Sequence, residues 1–300
     1  MKRHGWLGLG LMIAAEILLY TGVRVVATFF TPIMWTGYIL FADGIVAARG
    51  GRSWLTARRR EFGFLAVLSV FSWLLFEIYN FKLVNWVYVG MPEEMWLRDI
   101  GFFWSFATIT PAIFETADLL AALWPRRFSS TDATDGTDIS FFVSPSVESV
   151  PSVDGKLTAV ILLGLALIAI PPALPDSFAP YTFGFVWIGF IFLLEPINFR
   201  IGAPSLWREW LNGNNSAVGL WLAAGMITGF LWEAWNYQTL RLGGAGWLYT
   251  MPDLIHNLIF GLHYGKMPLA GLLGFPPFAM ECFAIYYFLR QVLRLDQWSY

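Results

Sequence analysis

A single cysteine among 300 residues, Cys282, lies inside an apolar stretch, so neither a disulfide framework nor a thiolate metal site can form within one chain. Charge is scarce too. Asp, Glu, Lys and Arg make up 13% of the residues, where a soluble domain carries about a quarter. That excludes an ordinary water-solvated surface, and the formal net charge of −2 points to no charged partner. The sequence has no phosphate-cradling loop, dinucleotide glycine fingerprint, serine-nucleophile elbow or HExxH pair, and no cofactor is expected. The basic run from Arg49 to Arg60 suits a cytoplasmic loop that sets orientation and attracts anionic lipid; nucleic acid is not an expected partner. No small-residue cleavage site follows the apolar run from Trp6 to Tyr20, which is expected to be a retained first span.

Apolar residues, by contrast, make up 57% of the chain, with a mean hydropathy of +0.58. Sixteen Trp and 27 Phe add rings of the kind that collect at membrane interfaces. A helix rising 1.5 Å per residue needs about twenty apolar residues to cross about 30 Å of hydrocarbon. That length predicts eight spans, near 6–29, 32–48, 62–84, 100–124, 157–175, 181–199, 217–240 and 268–290. The expected fold is therefore an all-α polytopic integral membrane protein.

Charge placement predicts its orientation. Lys2, Arg3, Arg49, Arg52, Arg58, Arg59, Arg60, Arg126, Arg127, Lys156, Arg200, Arg208, Arg290 and Arg294 fall on one side, against Arg24, Lys82, Arg98, Arg241 and Lys266 on or near the other. The positive-inside rule then puts both termini in the cytoplasm, as in a multi-pass protein of the inner (plasma) membrane. Residues 128–155, with the run Ser129-Ser130-Thr131-Asp132-Ala133-Thr134-Asp135-Gly136, are too polar to fold alone and are expected to form a flexible cytoplasmic linker.

The two flanking segments match each other. Trp35-Thr36-Gly37-Tyr38-Ile39 with Asp43 eight residues after Trp35 corresponds to Trp187-Ile188-Gly189-Phe190-Ile191 with Glu195. Glu77-Ile78-Tyr79-Asn80 corresponds to Glu233-Ala234-Trp235-Asn236, and Trp86-Val87-Tyr88 before Met91-Pro92 to Trp247-Leu248-Tyr249 before Met251-Pro252. Pro111 with Glu115 corresponds to Pro277 with Glu281. Four matches in one order predict a duplication, with a first repeat at 1–127 and a second at 156–300. Four spans per copy, an even number, make the repeats parallel about an axis along the membrane normal.

Ionisable residues inside spans are functional candidates because burying them is costly. Glu16, Asp43, Glu77, Glu115, Asp118, Glu195, Glu233 and Glu281 qualify, and six of these form the three matched pairs. Glu77 and Asn80 share a helix face, as do Glu233 and Asn236, and Trp73 lies one turn before Glu77. Such a group can act as general acid, as a proton-coupling site, or as polar glue between helices. Glu115 and Glu281 are weighed evenly between function and packing. Asp43 and Glu195, near the span ends, read as solvated helix ends. Trp73 and Trp232 are candidate substrate contacts. Trp86, Tyr88, Trp247 and Tyr249 suit either interfacial anchors or the wall of a binding site. Asp253, His256 and His263 in the long 241–266 loop form a weak candidate metal set.

The run Trp86-Val87-Tyr88, Pro92-Glu93-Glu94, Phe102-Phe103 resembles a pattern of integral-membrane lycopene cyclases, and the Phe-Leu-Trp-Glu segment at 230–233 is similar to membrane-bound terpenoid cyclases. The resemblance covers about twenty residues; the second copy departs from it, having only Pro252-Asp253. It implies an isoprenoid substrate, aromatic stabilisation of a carbocation, and Glu93 and Glu94 as acidic site residues.

The expected function is acid–base chemistry on a lipophilic isoprenoid or lipid, with Glu77 and Glu233 as acid and base and Asn80 and Asn236 orienting the substrate or fixing protonation. A proton- or cation-coupled transporter and a non-catalytic membrane scaffold remain alternatives. The expected partners are membrane lipid and a lipophilic small molecule.

Overall fold

The computed structural model describes residues 1–124 and 151–295. Eight long helices carry most of it: α1 (Arg3–Tyr20), α2 (Phe30–Ala48), α3 (Arg59–Leu83), α4 (Met95–Leu123), α5 (Pro151–Ala173), α6 (Phe183–Arg200), α7 (Asn215–Arg241) and α8 (Phe275–Val292). Their sequences are apolar on nearly every face. A helix satisfies its own backbone polar groups, which makes it the element that such a composition can place in lipid. Seven segments, those containing α2 to α8, are long and apolar enough to cross a membrane. Phe71, Ile78, Phe81, Leu162 and Ile170 point outward, so the bundle presents hydrocarbon to its surroundings. This is the architecture of a multi-pass α-helical membrane protein.

Several expected boundaries move. The first expected span is broken: α1 stops at Tyr20, the chain turns, and the short helix Arg24–Thr28 precedes α2. At 18 residues, with Arg3, His4 and Glu16, α1 is not among the seven apolar segments. Positions 128–150 of the expected linker lie outside the described residues, and a helix already begins at Pro151. The last expected span is interrupted, with Leu269–Leu272 forming a separate turn before α8. Two small ribbons also modify the all-α expectation: β1 (Trp86–Val89) with β2 (Gly246–Tyr249), and β3 (His263–Tyr264) with β4 (Met267–Pro268).

Within residues 3–123, α1 packs on α2, α2 on α4, and α3 on α4. Within 151–292, α5 packs on α6, α6 on α8, and α7 on α8. The helix α7 joins the two sets by lying against both α4 and α2. Edge-on ring pairs fill these junctions, with centroids 4.7 Å apart for both Trp35–Trp235 and Phe114–Trp221.

Where α1 crosses α2, the backbones nearly touch. A Cβ on Gly8 would lie 2.4 Å from the Gly37 carbonyl and 2.6 Å from the Phe41 nitrogen. Small residues at such crossings gain van der Waals contact in place of the hydrophobic drive that lipid does not supply. Gly8→Ala is expected to cost about 1–3 kcal/mol through overpacking, lowering the melting temperature of the detergent-solubilised protein. Gly10→Ala, whose Cβ would meet open space, is expected to leave it unchanged.

Candidate functional site

The site is assembled where α3 and α7 run out into β1 and β2. The strands are antiparallel, with Trp86 opposite Tyr249, Val87 opposite Leu248, and Tyr88 opposite Trp247. Alternation along a strand sends Val87 and Leu248 outward and the four aromatic side chains inward. Each strand is also tied to the helix before it. Asn80 Nδ2 donates to the Trp86 carbonyl at 2.9 Å, and its Oδ1 accepts from the Asn85 and Trp86 amides at 2.8 and 3.3 Å. Asn236 repeats this on Trp247, donating to its carbonyl at 3.1 Å and accepting from its amide at 3.0 Å. Both carboxamides thus bind the backbone of the strand that follows, a positioning geometry.

The two carboxylates stand just behind the rings. Glu77 Oε1 accepts from Trp73 Nε1 at 2.8 Å, Trp86 Nε1 at 3.1 Å and the Tyr88 hydroxyl at 2.5 Å. Glu233 is fully buried. Its Oε2 accepts from the Tyr249 hydroxyl at 2.9 Å and from Asn236 Nδ2 at 3.2 Å, and its Oε1 from the Lys266 amide at 2.5 Å. Gly265 is required for that last contact: it sits at φ +62, and a Cβ there would fall 2.4 Å from Glu233 Oε1. Burial, reinforced by the adjoining carboxylate, pushes both the Tyr88 and the Tyr249 phenol well above the usual tyrosine range. Both therefore remain hydroxyl donors at neutral pH.

In front of these groups is a partly open cavity with about 100 Å³ of space that the centre of a water-sized molecule can occupy. Its walls are largely aromatic: Trp35, Trp73, Trp86, Trp187, Trp232 and Trp247, with Tyr88, Tyr249 and six phenylalanines among them. Trp73 and Trp232 approach to 5.3 Å, Trp232 and Trp247 to 5.2 Å, and Tyr88 and Phe102 to 4.8 Å between centroids. Neither Glu77 nor Glu233 lines this space; their phenol and indole partners do. Glu233 instead lines a second, lateral cavity with Tyr20, Gln238, Arg241 and Tyr264. Gln238 there donates to Glu16.

The remaining candidates lie elsewhere. Glu93 and Glu94 are exposed and do not line the aromatic cavity, although Met91 and Pro92 beside them do. Glu115 is buried facing Asp43 and Asp118, away from the cavity. Glu281 is buried, and neither of its oxygens has a hydrogen-bond partner among the described residues. Asp43 and Glu195 are not solvated helix ends. Both are buried and fold the following loop back, Asp43 by accepting from the Trp54 amide at 2.7 Å and Glu195 from the Ser205 hydroxyl at 2.8 Å and the Trp207 amide at 3.0 Å.

The candidate metal set is also corrected. His263 Nδ1 donates to the Gly261 carbonyl at 2.8 Å, which leaves its Nε2 to accept from His256 Nδ1 at 3.2 Å. The imidazoles satisfy each other, and no group of three or more metal-ligating side chains occurs among the described residues.

Sequence reasoning passed over Phe106, Phe183, Phe275 and Phe278, which no local motif distinguishes from ordinary apolar residues. Trp35 and Trp187 did carry a signal, since they are the matched tryptophans of the two segments, and both line the cavity. Compared with known proteins, the chain matches no protein-family model, no curated protein and no solved structure.

Two measurements test this geometry. Asn236→Leu removes both ties to Trp247, and amide exchange along 246–249 is expected to accelerate about tenfold or more, since leaving buried polar groups unpaired costs about 1–3 kcal/mol. Slower or unchanged exchange would rule out the clamp. In an ultraviolet titration, Tyr88→Phe and Tyr249→Phe are each expected to leave the tyrosinate signal at pH 10 unchanged, because neither phenol has ionised by that pH.

Proposed function

We propose that the chain is an integral membrane enzyme that acts on a lipophilic isoprenoid or lipid by acid–base chemistry in the aromatic cavity. One observation carries the reading: at two places a phenol on the cavity wall is hydrogen-bonded to a carboxyl group behind it, Tyr88 to Glu77 and Tyr249 to Glu233. In each pair the phenol oxygen can take a proton from a protonated carboxyl while the hydroxyl gives its own proton to the ligand. The π electrons of a substrate double bond form the new C–H bond, and positive charge develops on the neighbouring carbon. The faces of Trp73, Trp232 and Trp247 supply negative potential to that carbon. The other pair, in its carboxylate form, removes a proton from an adjacent carbon through its phenol and restores a double bond. The sum is an isomerisation or ring closure without gain or loss of atoms. Asn80 and Asn236 take part by holding the strands that carry the phenols.

The same reading treats the chain as two copies of one four-span unit, 1–127 and 156–300, joined by a linker at 128–155. α1 supplies the eighth span, both termini are cytoplasmic, and the ribbon lies toward the outer side of the plasma membrane. The recurring helix packing, the paired Asn and Glu contacts and the mutual strand pairing support it. The continuity of α3 and α7 through Glu77 and Glu233 favours an enzyme over a transporter, in which broken helices commonly form the site. The coupled-transporter reading draws on a different feature, the lateral cavity that gives Glu233 a second face.

An untargeted lipid and metabolite comparison separates these. It uses cells lacking the protein, cells expressing it, and cells expressing the double variant Glu77→Gln with Glu233→Gln. A lipid-soluble product is expected only with the intact protein, falling about a hundredfold or more in the variant, as loss of general acid–base groups predicts. A Glu-dependent shift of a small solute between cell and medium, with lipids unchanged, would replace the enzyme with the transporter. Function that survives the double variant would leave only the scaffold.

A further inference from the structure

The polar groups that remain unanswered in the aromatic cavity cluster along one wall. Trp35 is buried, yet its indole Nε1–H has no hydrogen-bond partner among the described residues. The Thr31 hydroxyl, one turn earlier on α2, is likewise buried and without a partner among the described residues. Both residues line the cavity. Arg98 lines it too, from the first turn of α4, and none of the ion pairs, side-chain hydrogen bonds or ring-stacking contacts among the described residues engages its guanidinium. Glu93, Glu94 and Asp99, close by in sequence, do not pair with it. The α4 wall lies against the start of α2: a Cβ on Gly101 would sit 3.1 Å from the Phe29 ring, and Trp104 Nε1 donates to Thr36 at 2.9 Å.

An indole N–H and a guanidinium only donate, and a hydroxyl can donate. Buried donors without acceptors are costly, and Arg98, half-buried at the edge of the cavity with its guanidinium still reached by solvent, offers the space a positive charge. We infer that the cavity takes a single-chain amphiphile whose anionic oxygen head, a carboxylate or a phosphate, is held by Arg98, Thr31 and Trp35 while its apolar chain fills the aromatic box. Phosphates and carboxylates match a guanidinium in both charge and geometry. A pure hydrocarbon would leave the two buried donors unanswered and give Arg98 no counter-charge. The inference rests on the reading that this cavity is the substrate site, and it narrows that reading from any lipophile to an anionic one.

Binding of cis-parinaric acid and of its methyl ester, read by energy transfer from tryptophan, tests the head while keeping the chain constant. Full-length protein in a nonionic detergent is expected to bind the acid at least about tenfold more tightly than the ester, the scale of a charge-assisted contact. Arg98→Gln should abolish that preference while ester affinity stays within about twofold, which also reports that the variant is folded. Thr31→Val and Trp35→Phe should each narrow it. Oleate and lysophosphatidate, competed against the probe, identify the head as carboxylate or phosphate. Equal affinity for acid and ester in the wild type overturns the inference, as does a preference that survives Arg98→Gln or displacement by oleyl alcohol alone. The two readings fail separately. An acid preference without any Glu-dependent lipid change removes the acid–base chemistry and keeps the ligand class; a Glu-dependent product without acid preference does the reverse.

Discussion

The site depends on how a short piece of strand can exist at the end of a helix in a protein with so little water around it. β1 and β2 are four residues each and have only one another as ladder partners. A two-stranded ribbon is marginal alone. Asn80 and Asn236 supply the missing hydrogen bonds, each binding both the amide and the carbonyl of the tryptophan that opens the inward face of its strand. Thr250 adds a further tie, its amide donating to the Asn85 carbonyl at 2.9 Å. The rings that wall the cavity hang from this ribbon, so the carboxamides determine where the indoles and phenols stand.

The carboxylates act one layer out. Glu77 gathers three ring donors on a single oxygen, fixing Trp73, Trp86 and Tyr88 against one another. Glu233 divides its oxygens between Tyr249 and the backbone at Lys266, which ties the second ribbon region to the first. In a medium of low dielectric such hydrogen bonds are strong when complete and costly when broken. The arrangement leaves an aromatic interior with two carboxyl groups behind it. The burial of Asp43 and Glu195 follows the same economy at the opposite end of the bundle, where each carboxylate holds a turn.

Much of the architecture is legible because hydrocarbon solvent imposes simple lengths. Runs of Leu, Ile, Phe and Ala near 30–48, 59–83 and 215–241 read directly as spans. The break at 21–29 was hidden because Val23, Val25 and Val26 keep the run apolar while the chain turns. The matched Glu, Asn, Trp and Tyr residues were legible as a set. Their division of labour was not, since Asn80 bonding to backbone depends on a strand that four residues of sequence do not announce. The aromatic cavity was half visible. Trp35 and Trp187 stood out through their correspondence, whereas Phe183 or Phe278 is indistinguishable by type from the phenylalanines that face outward, such as Phe71 and Phe81. Arg98, one of five basic residues on the lesser side, was read only as a contribution to orientation. Its place on the cavity wall follows from the packing of α4 on α2, which no local pattern encodes.

The pairing of β1 with β2 has a geometric consequence. Each strand carries Trp-x-Tyr, and each tryptophan sits opposite the other strand's tyrosine, so the ribbon looks the same from either side about the Val87–Leu248 pair. An edge of this kind is complementary to itself. Either strand region, presented by a separate chain, would find in another copy of itself the partner that satisfies its exposed backbone. Carrying both strand regions on one chain sets their ratio at one to one and leaves each wall free to differ, so that Arg98 lines the cavity from one side alone.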